Sequence, residues 1–246
     1  MTDQAGLEPA APPPPAEAAD VFGPQLELAA RYAELLATTG ISHGLVGPRE
    51  APRLWERHLV NCAVMESLLP EGETIIDIGS GAGLPGLVLA IVRPDLTLHL
   101  VEPLLRRTTW LENAIATLGL PNVSVHRGRA EETELTAPVV TARAVASLDK
   151  LVRWSFPLLS PGGRLLALKG ESASRELDEA APLLDGLGVE IAHLHVVGEG
   201  RVSDPVRVVE IVRPETLREP ARSPSPTSRR GRKTRSKSAR RSRGSV

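Results

Sequence analysis

The chain has 246 residues, enough for one sizeable domain with appendages and a core that needs no covalent staples. Its single cysteine excludes an internal disulfide, and no stretch has the length or flanks of a signal peptide or membrane span, so a cytoplasmic protein is expected. The net charge of −1 hides two opposed parts: residues 221–246 carry ten of the 29 Lys and Arg and none of the 30 Asp and Glu, which leaves residues 1–220 at −11.

In chain order, residues 1–20, with Pro12 to Pro15 in a run among Ala and Glu, are expected to form a disordered leader. Residues 21–70 form a helical region. Apolar residues at helical spacing (Leu26, Ala29, Ala30, Ala33, Leu36) predict a helix from about Pro24 to Thr38, ended by Gly40, and a second runs from about Arg53 to Leu69, ended by Pro70. The main domain is expected over 71–214, where the strand-like runs ETIIDI, LTLHLV, NVSVH, VVTARAV and GRLLALK alternate with helix-length segments. That alternation predicts a parallel sheet covered by helices on both faces. The last two runs, VEIAHLHVV and PVRVVEIV, lie close together around Gly198 and Gly200 and predict a closing hairpin with an antiparallel strand at one side of the sheet. Residues 215–246 are a basic, Ser-rich tail, too polar to fold alone, whose uniform sign suits it as an anchor to phosphates.

The stretch IDIGSGAGLPG at 76–86 ends a strand and delivers the chain into glycines at 79, 81, 83 and 86 before a helix from about Leu87 to Val92. So much bare backbone lets a chain turn sharply and approach a ligand closely, with amides free to donate hydrogen bonds. Two cofactor classes compete for it. From Gly81 the residues match the dinucleotide fingerprint, with Glu102 at a suitable distance downstream to meet a ribose hydroxyl. Against that, the glycines begin at Gly79 and the strand carries Asp77 before the loop, the pattern of S-adenosylmethionine-dependent methyltransferases; a carboxylate suits a ligand with a cationic sulfur and would repel a diphosphate. Glu102 ends the second strand at the carboxyl edge, as the expected acceptor for both ribose hydroxyls. Arg129, Ala130, Glu131 and Glu132 follow the third, where a backbone amide and a side chain could hold adenine.

Taken together, RHLVNC at 57–62, DIGSGAGLPG at 77–86, RAEE at 129–132, ARA at 142–144, ALKG at 167–170 and RVV at 207–209 resemble the ribosomal RNA small subunit methyltransferase G family, also called glucose-inhibited division protein B. The resemblance implies a doubly wound Rossmann-like α/β fold of class I S-adenosylmethionine-dependent methyltransferases, mostly parallel, with an antiparallel closing strand and N-terminal helices. It implies transfer of methyl from S-adenosylmethionine to N7 of a guanosine in the 530-loop region of 16S ribosomal RNA. The expected partner is that RNA within the 30S subunit or an assembly intermediate, met by a monomer without a metal. Asp77, Gly79, Gly81 and Gly83 would line the methionine end, with Ser80 and Leu84 in the same loop, Glu102 would hold the ribose, and Ala130 with Glu131 the adenine. Arg143 and Lys169 would be the catalytic pair, Arg143 also orienting the cofactor. Arg57, His58, Lys169 and Arg207 would face RNA. The chain departs from the common pattern at Gly44-Leu45-Val46, Asn61 and Val208, and the basic tail is not part of it.

The chemistry agrees with that expectation. Cys62 lies on a predicted helix among Val60, Ala63 and Val64, where packing is its expected role, and the Asn/Asp-Pro-Pro-aromatic motif of exocyclic amine methylation does not follow the fourth strand. N7 of guanine has an in-plane lone pair and no proton to remove, so positioning suffices and no general base is required. His99 is expected to be structural, and Trp55, Trp110 and Trp154 to belong to the core. A nucleotide-dependent oxidoreductase, resting on the match at Gly81, and a non-enzymatic RNA-binding protein relying on the tail are the alternative classes.

Overall fold

Strand β1 (Thr74–Ile78) starts where helical spacing gives way to a continuous apolar run, and Ile75 to Ile78 are buried on both faces of the sheet. A computed structural model describes residues 11–217, so residues 1–10 and all of the basic tail from 221 to 246 lie outside the described residues. Strands β2 (Thr97–Glu102), β3 (Val123–Arg127), β4 (Ala137–Arg143), β5 (Leu159–Lys169), β6 (Ala192–Val197) and β7 (Val206–Val212) complete a sheet of order β3-β2-β1-β4-β5-β7-β6. The five strands from β3 to β5 run parallel, while β7 is antiparallel to both β5 and β6. The hairpin therefore folds back so that its second strand, not its first, pairs with the parallel sheet.

Helices cover both faces. On one lie α2 (Leu26–Leu35), α4 (Gly86–Val92) and α5 (Leu105–Leu118), with the irregular helical run 48–68 around its short α-helical segment α3 (Asn61–Ala63); on the other lie α6 (Leu148–Ser155) and α7 (Ala173–Leu187). Gly119 and Gly188, both left-handed, end α5 and α7. No helix among the described residues is long and apolar enough to cross a membrane.

Within the leader expected over 1–20, the described residues include a helix. Helix α1 (Ala16–Phe22) begins directly after the proline run and buries Ala18, Val21 and Phe22, an i, i+3, i+4 face that the Ala and Pro around it disguised. Phe22 stacks edge-on to Trp55 at 6.0 Å, and Trp55 Nε1 donates to the Pro12 carbonyl at 2.8 Å. Glu17 in turn accepts from the backbone amide and hydroxyl of Ser203 in the β6–β7 loop, tying the first helix to the closing hairpin. The first expected helix is also subdivided: a tight turn at Gly23–Gln25 separates α1 from α2, and the final turn Leu36–Gly40 is wider, with π-helical spacing.

The order reverses between β1 and β4, so the carboxyl ends of β1, β2 and β4 open a crevice at the switch point where open α/β sheets bind ligands.

Candidate functional site

A cavity of about 590 Å³ fills that crevice. Ile78, Gly79, Ser80, Gly81, Ala82 and Leu84 form its floor; Val101, Glu102, Leu104 and Arg107 one side; Arg129, Ala130, Glu131 and Trp154 another; and His58, Arg143, Ala144 and Val145 the far wall. The glycine pattern has two distinct causes. Gly79 has φ of 69°, and a Cβ there would meet Val145 Cγ1 and Cγ2 at 2.9 Å. Gly86 has ordinary dihedrals, but a Cβ would collide with Leu100 Cδ2 and Asp77 Oδ2, because α4 is pressed against the sheet at its first residue.

The loop does not offer a row of free amides. Gly79 and Ser80 donate to the Val101 carbonyl, Gly83 and Leu84 to the Ser80 carbonyl, and Gly81 to Glu102 Oε2 at 3.1 Å. Asp77 lies wholly buried beneath the loop, where its Oδ2 accepts the amide of Gly86 at the start of α4 (3.0 Å) and Ser80 Oγ donates to its carbonyl (2.9 Å). A dinucleotide would place its pyrophosphate at that helix start, and Asp77 already fills the position with a carboxylate. Burial raises the Asp77 carboxyl to about 7, partly offset by the Gly86 and Ser80 hydrogen bonds; its Oδ1 is buried without a hydrogen-bond partner among the described residues. Neither Asp77 nor Gly83 lines the cavity. They shape the loop from below, Asp77 by accepting the Gly86 amide and Gly83 by donating to the Ser80 carbonyl.

Glu102 is buried at the carboxyl end of β2, and its other oxygen accepts the Leu104 amide at 3.1 Å. Arg107, from the first turn of α5, lies 3.5 Å from Glu102 Oε2. Of about four carboxylate acceptor positions, the Gly81 and Leu104 amides use two, which leaves one on each oxygen for a ribose hydroxyl beside the Arg107 ion pair.

Arg143 ends β4 and points into the helical run rather than toward Asp77 or Glu102. Its guanidinium donates to the Arg57 carbonyl (2.7 Å), to His58 Nδ1 (2.7 Å) and to Cys62 Sγ (3.4 Å). Arginine can only donate, so His58 Nδ1 accepts, and the ring's proton resides on Nε2, which donates to Glu50 Oε2 at 3.1 Å. Burial, followed by the Arg143 charge, lowers the His58 pKa to about 4 against the opposing pull of Glu50, so the ring is neutral at pH 7. Burial raises the Cys62 thiol, in keeping with a packing role. After Arg143, Ala144 adopts φ of 54°, the single non-glycine residue among those described with a left-handed backbone.

A second cavity, of about 730 Å³, lies behind this wall and shares His58, Arg143, Ala144 and Val145 with the first. Lys169, at the end of β5, is 8% exposed there and donates to the Ala146 carbonyl and to Glu176 Oε2, both at 2.8 Å, so it is not a solvated strand end. Burial would raise the Glu176 carboxyl, but hydrogen bonds from Lys169 and Ser172 outweigh it and hold the group below the usual range, and thus ionised. Arg57 lines the same cavity, with Nη1 3.5 Å from Glu50. Arg207 pairs in register opposite Lys169, next to the lining residue Val206.

A family model described as rRNA small subunit methyltransferase G matches residues 25–203, from the start of α2 into the β6–β7 loop. The chain belongs to that family. The ribosomal RNA small subunit methyltransferase G of Thermobifida fusca is 56% identical over 228 residues, 90% of this chain and 96% of that protein. That of Salinispora tropica is 52% identical over 240 residues, 93% and 99% of the two chains. Among solved structures, a SAM dependent methyltransferase from Aquifex aeolicus shares the fold, with a TM-score of 0.51 at 17% identity over 70% of this chain and 98% of that one.

In this member of the methyltransferase G family, Gly79, Ser80, Gly81, Leu84, Glu102, Ala130, Glu131 and Arg143 converge on the first cavity, and Arg57, His58, Arg143 and Lys169 on the second. Glu132 stays outside, its carboxylate accepting the Arg129 amide. Trp154 departs from its expected core role: half-buried, it lines the first cavity, while Trp55 and Trp110 are buried. His99 bonds to Ser124 and His126 on the neighbouring strand. Sequence reasoning missed Glu50, Arg107, Glu176 and Tyr32, whose hydroxyl donates to the Ala82 carbonyl at 2.6 Å and pins the glycine loop to α2. For Arg107 the signal was available, since it follows Glu102 by five residues at the start of a helix over the crevice.

Proposed function

We propose that the chain is an S-adenosylmethionine-dependent methyltransferase of small-subunit ribosomal RNA that methylates N7 of a guanosine in the 530-loop region of 16S RNA, presented by the 30S subunit or an assembly intermediate. The observation that carries this reading is the Arg143–Ala144–Val145 wall, which places a cofactor-sized cavity directly against a charged one in a chain of the methyltransferase G family. The first cavity fits the cofactor: a buried carboxylate for the ribose at Glu102, Ala130, Glu131 and Trp154 for the adenine, and the Gly79–Gly81 backbone with Arg143 for the methionine end. Bound there, S-adenosylmethionine supplies a methyl group activated on a sulfonium.

N7 carries a lone pair and no proton, so the residues need to hold the base in line and keep water out. Arg143 is fixed by three contacts and faces both cavities, which suits it to orient cofactor and base together. Lys169 and Arg143 hold the base and its phosphates in the second cavity, with Arg57 and Arg207 at its edge for the RNA backbone. His58, neutral and hydrogen-bonded on both nitrogens, acts by keeping Arg143 in place. The test is incubation of the protein with labelled S-adenosylmethionine and 30S subunits from a strain lacking it, followed by borohydride and aniline cleavage at N7-methylguanine. One cleavage near the 530 loop is expected; label at another base or atom would overturn the substrate.

A further inference from the structure

We propose that the Lys169–Glu176 pair reads the target base as guanine, Lys169 donating to O6 and Glu176 accepting from N1–H. The inference rests on the guanosine reading above and assigns its specificity. Lysine only donates and an ionised carboxylate only accepts, so side by side at 2.8 Å they present a donor next to an acceptor. Guanine presents the complement, an acceptor at O6 beside a donor at N1. Adenine presents the reverse, a donor at N6 beside an acceptor at N1, and would set like against like on both contacts.

Both groups have capacity for the base. Of three Lys169 protons, Ala146 and Glu176 engage two. Of about four Glu176 acceptor positions, Lys169 takes one on Oε2 and Ser172 one on Oε1, so each oxygen keeps a lone pair for the base. N1–H is assigned because it neighbours O6 on the base as Glu176 neighbours Lys169 in the cavity. Order along the wall matters as well. Lys169 stands between Glu176 and the carbonyl of Ala146, two residues past Ala144 in the wall shared with the first cavity. Around a guanine the same order runs N1–H, O6, N7, so reading N1 and O6 here turns N7 toward the shared wall. Glu50, the other carboxylate of the cavity, is occupied by His58 and Arg57.

The experiment measures kcat/KM for the full chain on reconstituted small-subunit RNA particles carrying guanosine, inosine or adenosine at the mapped position. Inosine keeps O6 and N1–H and is expected within about threefold of guanosine, while adenosine is expected to be on the order of a hundredfold slower, since two opposed contacts are left unpaired. Glu176→Gln, whose amide can present either a donor or an acceptor, should bring the guanosine-to-adenosine ratio below about ten while leaving cofactor affinity by calorimetry unchanged. Glu176→Asp should keep the ratio at a reduced rate. Inosine as poor as adenosine, or a Gln variant with the wild-type ratio, overturns the inference and leaves the N7 reading intact. Absence of transfer to guanosine by the wild type overturns both. If the Gln variant fails to bind cofactor, the wild-type nucleoside series and the Asp variant decide the matter.

Discussion

The two cavities that meet at Arg143 are made of different material. The first is walled largely by main chain turned on glycines, with one buried carboxylate; the second is walled by charged side chains from the 48–63 helical run, β5 and α7 that neutralise one another in pairs, and by Arg143 of β4, which is held by uncharged acceptors. A backbone wall holds a ligand by shape and needs special residues adjacent in sequence. A side-chain wall holds a ligand by exchanging partners, and its members can come from anywhere in the chain. The comparison teaches that one crevice can join a wall of rigid main chain to a wall of exchangeable charged pairs.

Arg143, which belongs to both walls, offers the largest expected effect. Arg143→Ala should slow single-turnover methyl transfer on the order of a hundredfold, and Arg143→Lys should recover little, because an ammonium cannot reproduce the fork that reaches Arg57, His58 and Cys62 at once. Turnover at the wild-type rate would mean the two cavities work without their shared wall. A change confined to the first cavity should separate them: Glu102→Ala is expected to raise the cofactor Kd about tenfold to a hundredfold by calorimetry while RNA affinity stays put, the worth of one charged hydrogen-bonding group. An equal loss in RNA affinity would show that the walls do not act separately.

Below the first cavity, Gly86→Ala should cost about 1–3 kcal/mol in denaturant unfolding, through overpacking against Leu100 and Asp77. On the other side of Arg143, His58 sets a pH dependence. Its folded pKa is lowered to about 4, so between its ordinary value near 6.5 and about 4 the unfolded chain takes up a proton that the folded chain refuses, and falling pH removes stability. Allowing for the ring's partial exposure, the loss should be about 1–2 kcal/mol. Asp77, raised to about 7, works in the opposite direction, being destabilising where the buried carboxyl ionises and relieved as pH falls. The comparison is therefore of wild type against His58→Asn, which keeps an acceptor for Arg143 without titrating: the difference in melting temperature between the two should shrink or reverse from pH 7 to pH 4. A constant difference would remove the assignment.

What could be seen in the residues follows the same division. The strands, the hairpin and the loop at 79–86 are local patterns of apolar run and glycine, and the structure has them within a few residues of the expected bounds. Helix α1 was hidden because three buried positions sit among alanines and prolines that read as linker. Asp77 was visible as an acidic residue before glycines, but its direction was not: a strand residue can face ligand or helix, and the nearness of α4 turns this one toward the Gly86 amide. Trp154 could pass for core because its helix α6 is amphipathic; only the position of that helix beside the Ala130 loop opens it to the cavity.

The order of apolar runs, the glycines and the acidic ends of β1 and β2 thus carried the sheet, the crevice and the cofactor class in the one-dimensional chain, since each depends on neighbours within a turn or a strand. The pairings Arg143 with His58, Lys169 with Glu176 and Glu102 with Arg107 depend on strand order and helix packing. Charge neutralisation acts over a few ångströms of space and is indifferent to separation along the chain, so only folding could show which cation meets which acceptor.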